Sequence, residues 1–139
     1  MAQTTFNGPV TSQNGFITGH QVTAANAINA TATATAAQVA SGYITSTSVG
    51  TVSITLPTGT LLGAALSATQ GTTLDLFIDN TAGASVVTVV VAVNGILSTA
   101  AADTPGSFGD LTIAAGATGL ARFTIMFSSA TAYVFTRTA

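Results

Sequence analysis

The side chains able to do acid–base, nucleophilic or metal chemistry are few and far apart. His20 is the single histidine, set beside Gly19 with no carboxylate next to it, so a proton-transfer role lacks its second member. Asp75 and Asp79 share one face of a predicted strand. Four residues at ~3.3 Å each hold them about 13 Å apart, too far for two carboxylates flanking a glycosidic bond. Simpler roles suit them better: Asp79 caps the turn that DNTAG opens, and Asp75 meets Arg122 across the sheet as a structural ion pair. Asp103 and Asp110 flank TPGSFG without the spaced acidic pattern of a calcium loop, and are expected to be solvated loop residues. The glycines of IAAGATG lead into a strand, not a helix amino terminus, so they lack the backbone donors of a phosphate loop. The expectation is a protein with no catalytic residues, no metal and no cofactor, and not an enzyme.

The chain around these residues is nearly uncharged. Of 139 residues only two are Arg or Lys and four are Asp or Glu, 4% charged in all, where soluble proteins carry roughly 25%. Both basic residues are arginines, too few for a polyanion-binding surface, which excludes nucleic acid as partner. A formal charge of -2 gives little electrostatic protection against self-association. A surface of this kind is expected to be covered by neighbours in an assembly. The most apolar run, SVVTVVVAVNGIL at 85–97, is interrupted by Thr88, Asn94 and Gly95 and falls short of the ~20 residues of a spanning helix. The aromatic girdles of an outer-membrane barrel are missing, with two tyrosines and no tryptophan. No membrane partner is expected. Without cysteine, neither disulfides nor thiolate metal sites can form.

Period two dominates from residue 50 onward. TVSITLP alternates Val52, Ile54 and Leu56 with polar residues until Pro57 removes a ladder donor. TLDLFIDN sends Leu74, Leu76 and Ile78 to one face and Asp75, Phe77 and Asp79 to the other. ASVVTVVVAV is too rich in β-branched residues for a helix, and Asn94-Gly95 after it predicts a hairpin with ILST as the return strand. LTIAAG, GLARFTIMF and AYVFTRT supply three more strands. In the second, Ala121, Phe123, Ile125 and Phe127 oppose Leu120, Arg122, Thr124 and Met126, and both faces are expected to be covered. In the third, Tyr133, Phe135 and Arg137 share a face, so Phe123, Phe127, Tyr133 and Phe135 can form a cross-strand aromatic cluster. TGTLLGAALSATQG at 58–71 has Leu61, Leu62, Ala65 and Leu66 at helical spacing, a Thr58 cap and a Gly71 stop, which predicts one short helix. AANAINATATATAAQVA at 24–40 is read as strand from its alternating threonines, against a partly ordered loop; a small Thr/Ala face there suits close approach to another backbone. The sum is an all-β chain: an antiparallel β-sandwich or jelly-roll-like barrel of about seven or eight strands, with one short helix.

FNGPVTSQNGFI at the amino terminus, ITLPTGTLLGAALSATQGTTLDLFIDNTAG, and LTIAAGATGLARFTIMFSSATAYVFTRT together resemble the head decoration, or cement, proteins of tailed bacteriophages, particularly those of marine and cyanobacterial phages. The resemblance covers most of the chain. It implies a β-rich, non-enzymatic, homotrimeric protein on the outer surface of the virion, clamping neighbouring subunits of the major capsid protein. The polar segment 1–20 then reads as an extended N-terminal arm that docks on the capsid through Phe6, Pro9, Val10, Phe16 and Ile17, ahead of a β-sandwich domain at 21–139. A function of another class, the trimeric receptor- or glycan-binding head of a tail fibre, is the alternative; it calls for exposed aromatics.

Overall fold

A computed structural model gives the fold of residues 26–97 and 110–139. The arm read at 1–20, with Phe6, Pro9, Val10, Phe16, Ile17 and His20, lies outside the described residues, as does Asp103. The elements in chain order are β1 (Ala32–Thr33), α1 (Ala36–Ala40), β2 (Tyr43–Thr45), β3 (Val52–Thr55), α2 (Gly59–Leu66), β4 (Thr73–Asp79), β5 (Val87–Val90), β6 (Gly95–Leu97), β7 (Thr112–Ile113), a 3-10 turn at Gly116–Thr118, β8 (Leu120–Ser129) and β9 (Ala132–Arg137).

The strands form two open sheets among the described residues, in the orders β1-β3-β5-β7 and β2-β4-β8-β9-β6. Both are mixed, which corrects the expected antiparallel arrangement, and neither closes into a barrel. β1 with β3, β3 with β5, β2 with β4 and β6 with β9 run parallel; β4 with β8, β8 with β9 and β5 with β7 run antiparallel. The reason lies in the route of the chain. From β1 to β8 each successive strand belongs to the other sheet. A chain that changes sheet at every turn can re-enter the first one in its original direction, whereas a hairpin reverses direction within one sheet. Hydrophobic alternation reports which side chains are buried and carries no record of which sheet comes next.

The Asn94-Gly95 hairpin is corrected on the same ground. The pair does make a turn: the Gly95 N–H donates to the Ala92 carbonyl at 3.0 Å, with Asn94 at φ 63°. That turn carries the chain out of the four-stranded sheet, and β6 pairs in parallel with β9. Among the described residues of 24–40, namely 26–40, the strand reading holds for β1, after which the chain becomes α1. A capping box starts it. Thr35 Oγ1 accepts from the Gln38 N–H at 3.1 Å, and Gln38 Oε1 accepts from the Thr35 N–H at 2.8 Å. There are therefore two α-helices among the described residues, not one. The second is the expected helix, capped by Thr58 but stopped at Ser67, whose φ of 50° is left-handed, and not at Gly71. Its buried face is Gly59, Leu62 and Gly63, while Leu61 faces outward. Gly59 and Gly63 lie directly against the backbone carbonyls of Thr131 and Ala130 in the β8–β9 turn, leaving no room for a Cβ. That contact seats α2 on the hairpin.

One apolar cluster joins both sheets: Val52, Ile54, Val87, Val89 and Ile113 from the first, and Leu76, Ile78, Phe123, Ile125, Phe127 and Phe135 among those from the second. The aromatic cluster expected at β8–β9 is present, with Phe123 stacked on Phe135 at 4.8 Å between centroids and Phe127 tilted against Tyr133 at 5.8 Å. Two polar ties cross this interior. The Tyr133 hydroxyl donates to the Pro57 carbonyl at 3.0 Å, and burial pushes its phenol up to about 12. The Asn80 side-chain amide, fully buried at the end of β4, reaches the Ser85 and Ala114 carbonyls, each at 2.9 Å, and so fastens β4 to the approaches of β5 and to the chain leaving β7. No helix of the described residues is long and apolar enough to cross a membrane.

Candidate functional site

The outward face of the five-stranded sheet gathers three of the chain's six charged residues, two exposed aromatics and two large exposed aliphatic side chains. The alternation that buries Leu74, Leu76 and Ile78 turns Asp75, Phe77 and Asp79 outward on β4, and the same alternation turns Leu120, Arg122, Thr124 and Met126 outward on β8. The ladders then set the rows: Tyr43 beside Phe77 beside Arg122, Thr45 beside Asp79 beside Leu120, and Asp75 beside Thr124 beside Thr136.

Two diagonal contacts lock the rows together. Arg122 Nη2 lies 2.6 Å from Asp75 Oδ2, and the Thr124 hydroxyl donates to Asp75 Oδ1 at 2.9 Å. The Tyr43 hydroxyl donates to Asp79 Oδ2 at 2.6 Å, while Thr81 gives Asp79 Oδ1 both its N–H, at 2.9 Å, and its hydroxyl, at 2.6 Å. The Arg122 guanidinium carbon stands 5.8 Å from the centre of the Phe77 ring, within cation–π reach. Ionisation follows this geometry. Partial burial pulls the Asp75 carboxyl upward, but the bonds from Arg122 and Thr124 and the guanidinium charge outweigh it, so its pKa falls below the ordinary value. The Thr81 hydroxyl and then Tyr43 lower Asp79, and the bond to Asp79 raises Tyr43. Both carboxylates are thus held ionised by donors on this face.

The expectation that both faces of β8 are covered is corrected here: Leu120 is 52% exposed and Met126 49%. The result is a surface of apolar and neutral groups around an internally satisfied polar cluster. It can dock against another surface without presenting an unpaired charge. The chain enters this sheet alongside the face. Ala27 bridges to Thr45 along the outer side of β2, and Asn26 Nδ2 donates to the Tyr43 carbonyl at 2.9 Å.

Sequence pattern alone missed the second ionic site. Asp110 is buried, not a solvated loop residue: Arg137 Nη1 lies 3.1 Å from its Oδ2, and Oδ1 accepts from the Thr112 N–H at 2.9 Å. Arg137 also donates to the Thr112 carbonyl at 2.8 Å, so a side chain of β9 is bonded to β7 in the other sheet. The available signal was Arg137 itself, an arginine on the same strand face as Tyr133 and Phe135. Elsewhere, an apolar groove of about 510 Å³ opens beside β1 and the start of α2, lined by Thr33, Ala34, Thr55, Leu56, Thr58 and Leu61 among others. Among the described residues no group of three or more His, Cys, Asp or Glu side chains is placed to hold a metal ion. No family model, curated protein or solved structure matches this chain.

Proposed function

We propose that the chain is a structural virion protein that decorates the head of a tailed bacteriophage and stabilises it by bridging major capsid subunits, as a homotrimeric β-sandwich on the outer surface of the shell. The observation that carries this reading is the outward face of the five-stranded sheet, where Tyr43, Phe77, Leu120 and Met126 are exposed around carboxylates that already have their donors. Docking there removes apolar area from water and strands no isolated charge. The scarcity of charge over the whole chain and the resemblance of its three segments to head decoration proteins point the same way. Many identical copies on a lattice let weak individual contacts act together. The arm adds reach, since its anchors Phe6, Val10, Phe16 and Ile17 precede the point where Asn26 meets Tyr43.

Co-sedimentation with purified heads tests both parts. Deleting residues 2–18 is expected to leave the β domain folded and abolish attachment; sedimentation of the truncated protein with the shells disproves the role of the arm. Met126→Lys together with Leu120→Lys places two charges on the face and is expected to weaken attachment with no change in the circular dichroism spectrum. Undiminished attachment of that variant rejects the face. The adjacent, exposed Tyr43 and Phe77 favour a second reading, the glycan-binding head of a tail fibre, because ring faces beside carboxylates suit a sugar. Copy number separates the two: hundreds per particle for decoration, a few tens or fewer for a fibre.

A further inference from the structure

We propose that Asn94 is a conformationally gated modification site: the folded chain protects an intrinsically labile Asn-Gly bond, and opening of β6 releases it to deamidate. The chemistry needs only water. The Gly95 backbone nitrogen, once its proton has gone to solvent base, attacks Asn94 Cγ, and the side-chain nitrogen leaves as ammonia. Water then opens the succinimide at either carbonyl, giving aspartate or isoaspartate. Glycine in the following position makes that attack sterically easy.

The fold opposes it at each atom concerned. The Gly95 N–H is engaged by the Ala92 carbonyl at 3.0 Å, and the Asn94 carbonyl accepts from the Tyr133 N–H, also at 3.0 Å. Both ends of the peptide unit that must rotate and ionise are therefore held. Gly95 is packed as well. A Cβ built on it would lie 2.5 Å from Val91 Cγ1 and 2.6 Å from the Tyr133 ring, so its Cα cannot swing toward a cyclic intermediate while β6 stays on β9. Asn94 itself is exposed, with φ 63°, so water and base have access as soon as the backbone is released. β6 has three residues and lies at the edge of its sheet, the kind of element that opens before the whole domain unfolds.

The consequence is larger than one atom exchange. Isoaspartate inserts a methylene into the main chain immediately before the Gly95–Tyr133, Ile96–Val134 and Leu97–Phe135 register, and either product adds a negative charge to a chain whose formal charge is -2.

The test uses the full chain at mildly alkaline pH, folded and in denaturant, followed by peptide mapping that separates Asn, Asp and isoAsp. Asn7-Gly8 and Asn14-Gly15, the other two Asn-Gly pairs, serve as references. In denaturant, Asn94 is expected to convert at a rate like theirs. In the folded chain, conversion at Asn94 is expected to be at least about tenfold slower than in denaturant, because it must wait for an opening event. Equal rates in the two states, or no conversion in denaturant, overturn the proposal. Asn94→Gly keeps the left-handed turn residue and is expected to remove the signal at this position; a signal that persists there overturns the assignment.

Discussion

The two arginines use the same chemistry in opposite settings. Arg122 and Asp75 meet on the outward face of the five-stranded sheet with side chains 46% and 37% exposed, whereas Arg137 and Asp110 meet between the sheets with 19% and 8%. The exposed pair is the shorter, 2.6 Å against 3.1 Å, yet distance does not rank them. Water already solvates Arg122 and Asp75 when they part, so their pairing adds little. Asp110 is nearly shut off from water, so removing Arg137 takes a cation from a carboxylate held in a low-dielectric interior. Environment decides how much an ion pair stabilises.

Five substitutions sharpen or break that contrast. The largest effect is expected from Arg137→Ala, which leaves Asp110 buried without its cation and costs about 3–5 kcal/mol, read from the urea midpoint. Adding Asp110→Ala to that variant is expected to recover part of the loss; a double variant no more stable than Arg137→Ala breaks the account. Next comes Asn80→Ala, which strips the bonds to Ser85 and Ala114 from a fully buried junction and is expected to cost about 1–3 kcal/mol. Tyr133→Phe removes the bond to the Pro57 carbonyl, a loss of about 1 kcal/mol. It also removes an alkaline limb. The phenol is raised to about 12 in the folded chain, so its contribution is complete below the unfolded value near ~10 and is lost as pH rises from there through the folded value.

The smallest effect is expected from Arg122→Ala, about 0–1 kcal/mol and vanishing in high salt. A loss equal to that of Arg137→Ala would show that burial is not what separates the pairs. The outward carboxylates give an acid limb instead. Both Asp75 and Asp79 are lowered, so their contribution is present above the unfolded value near ~3.9 and is lost as pH falls through the folded values. Stability followed from pH 6 downward, with and without Arg122→Ala, isolates the share that Asp75 owes to Arg122.

Which side of each long strand is buried was legible because alternation is local. Leu74, Leu76 and Ile78, then Ala121, Phe123, Ile125 and Phe127, could be assigned to the interior without knowledge of their neighbours. The outward row of Asp75, Phe77 and Asp79 followed, and with it the chance of Arg122 opposite Asp75. α1 was legible in principle through Thr35 and Gln38, but the alternating threonines before them outweighed that signal. The pairing of Ala27 along the outer side of β2 and the burial of Asp110 were not legible. Each depends on a partner distant in sequence, Thr45 and Arg137 respectively.

The chain by itself determined its period-two strands, the cap of α2, the aromatic stack at β8–β9 and a surface poor in charge, since each follows from composition or from residues within about a dozen positions of one another. Only the tertiary structure decided that the chain changes sheet at nearly every turn, that neighbouring strands therefore run parallel as often as not, and that one ion pair ties the layers while the other lies open. Those outcomes depend on contacts between segments tens of residues apart, where an alternating pattern fits either sheet and either direction equally well.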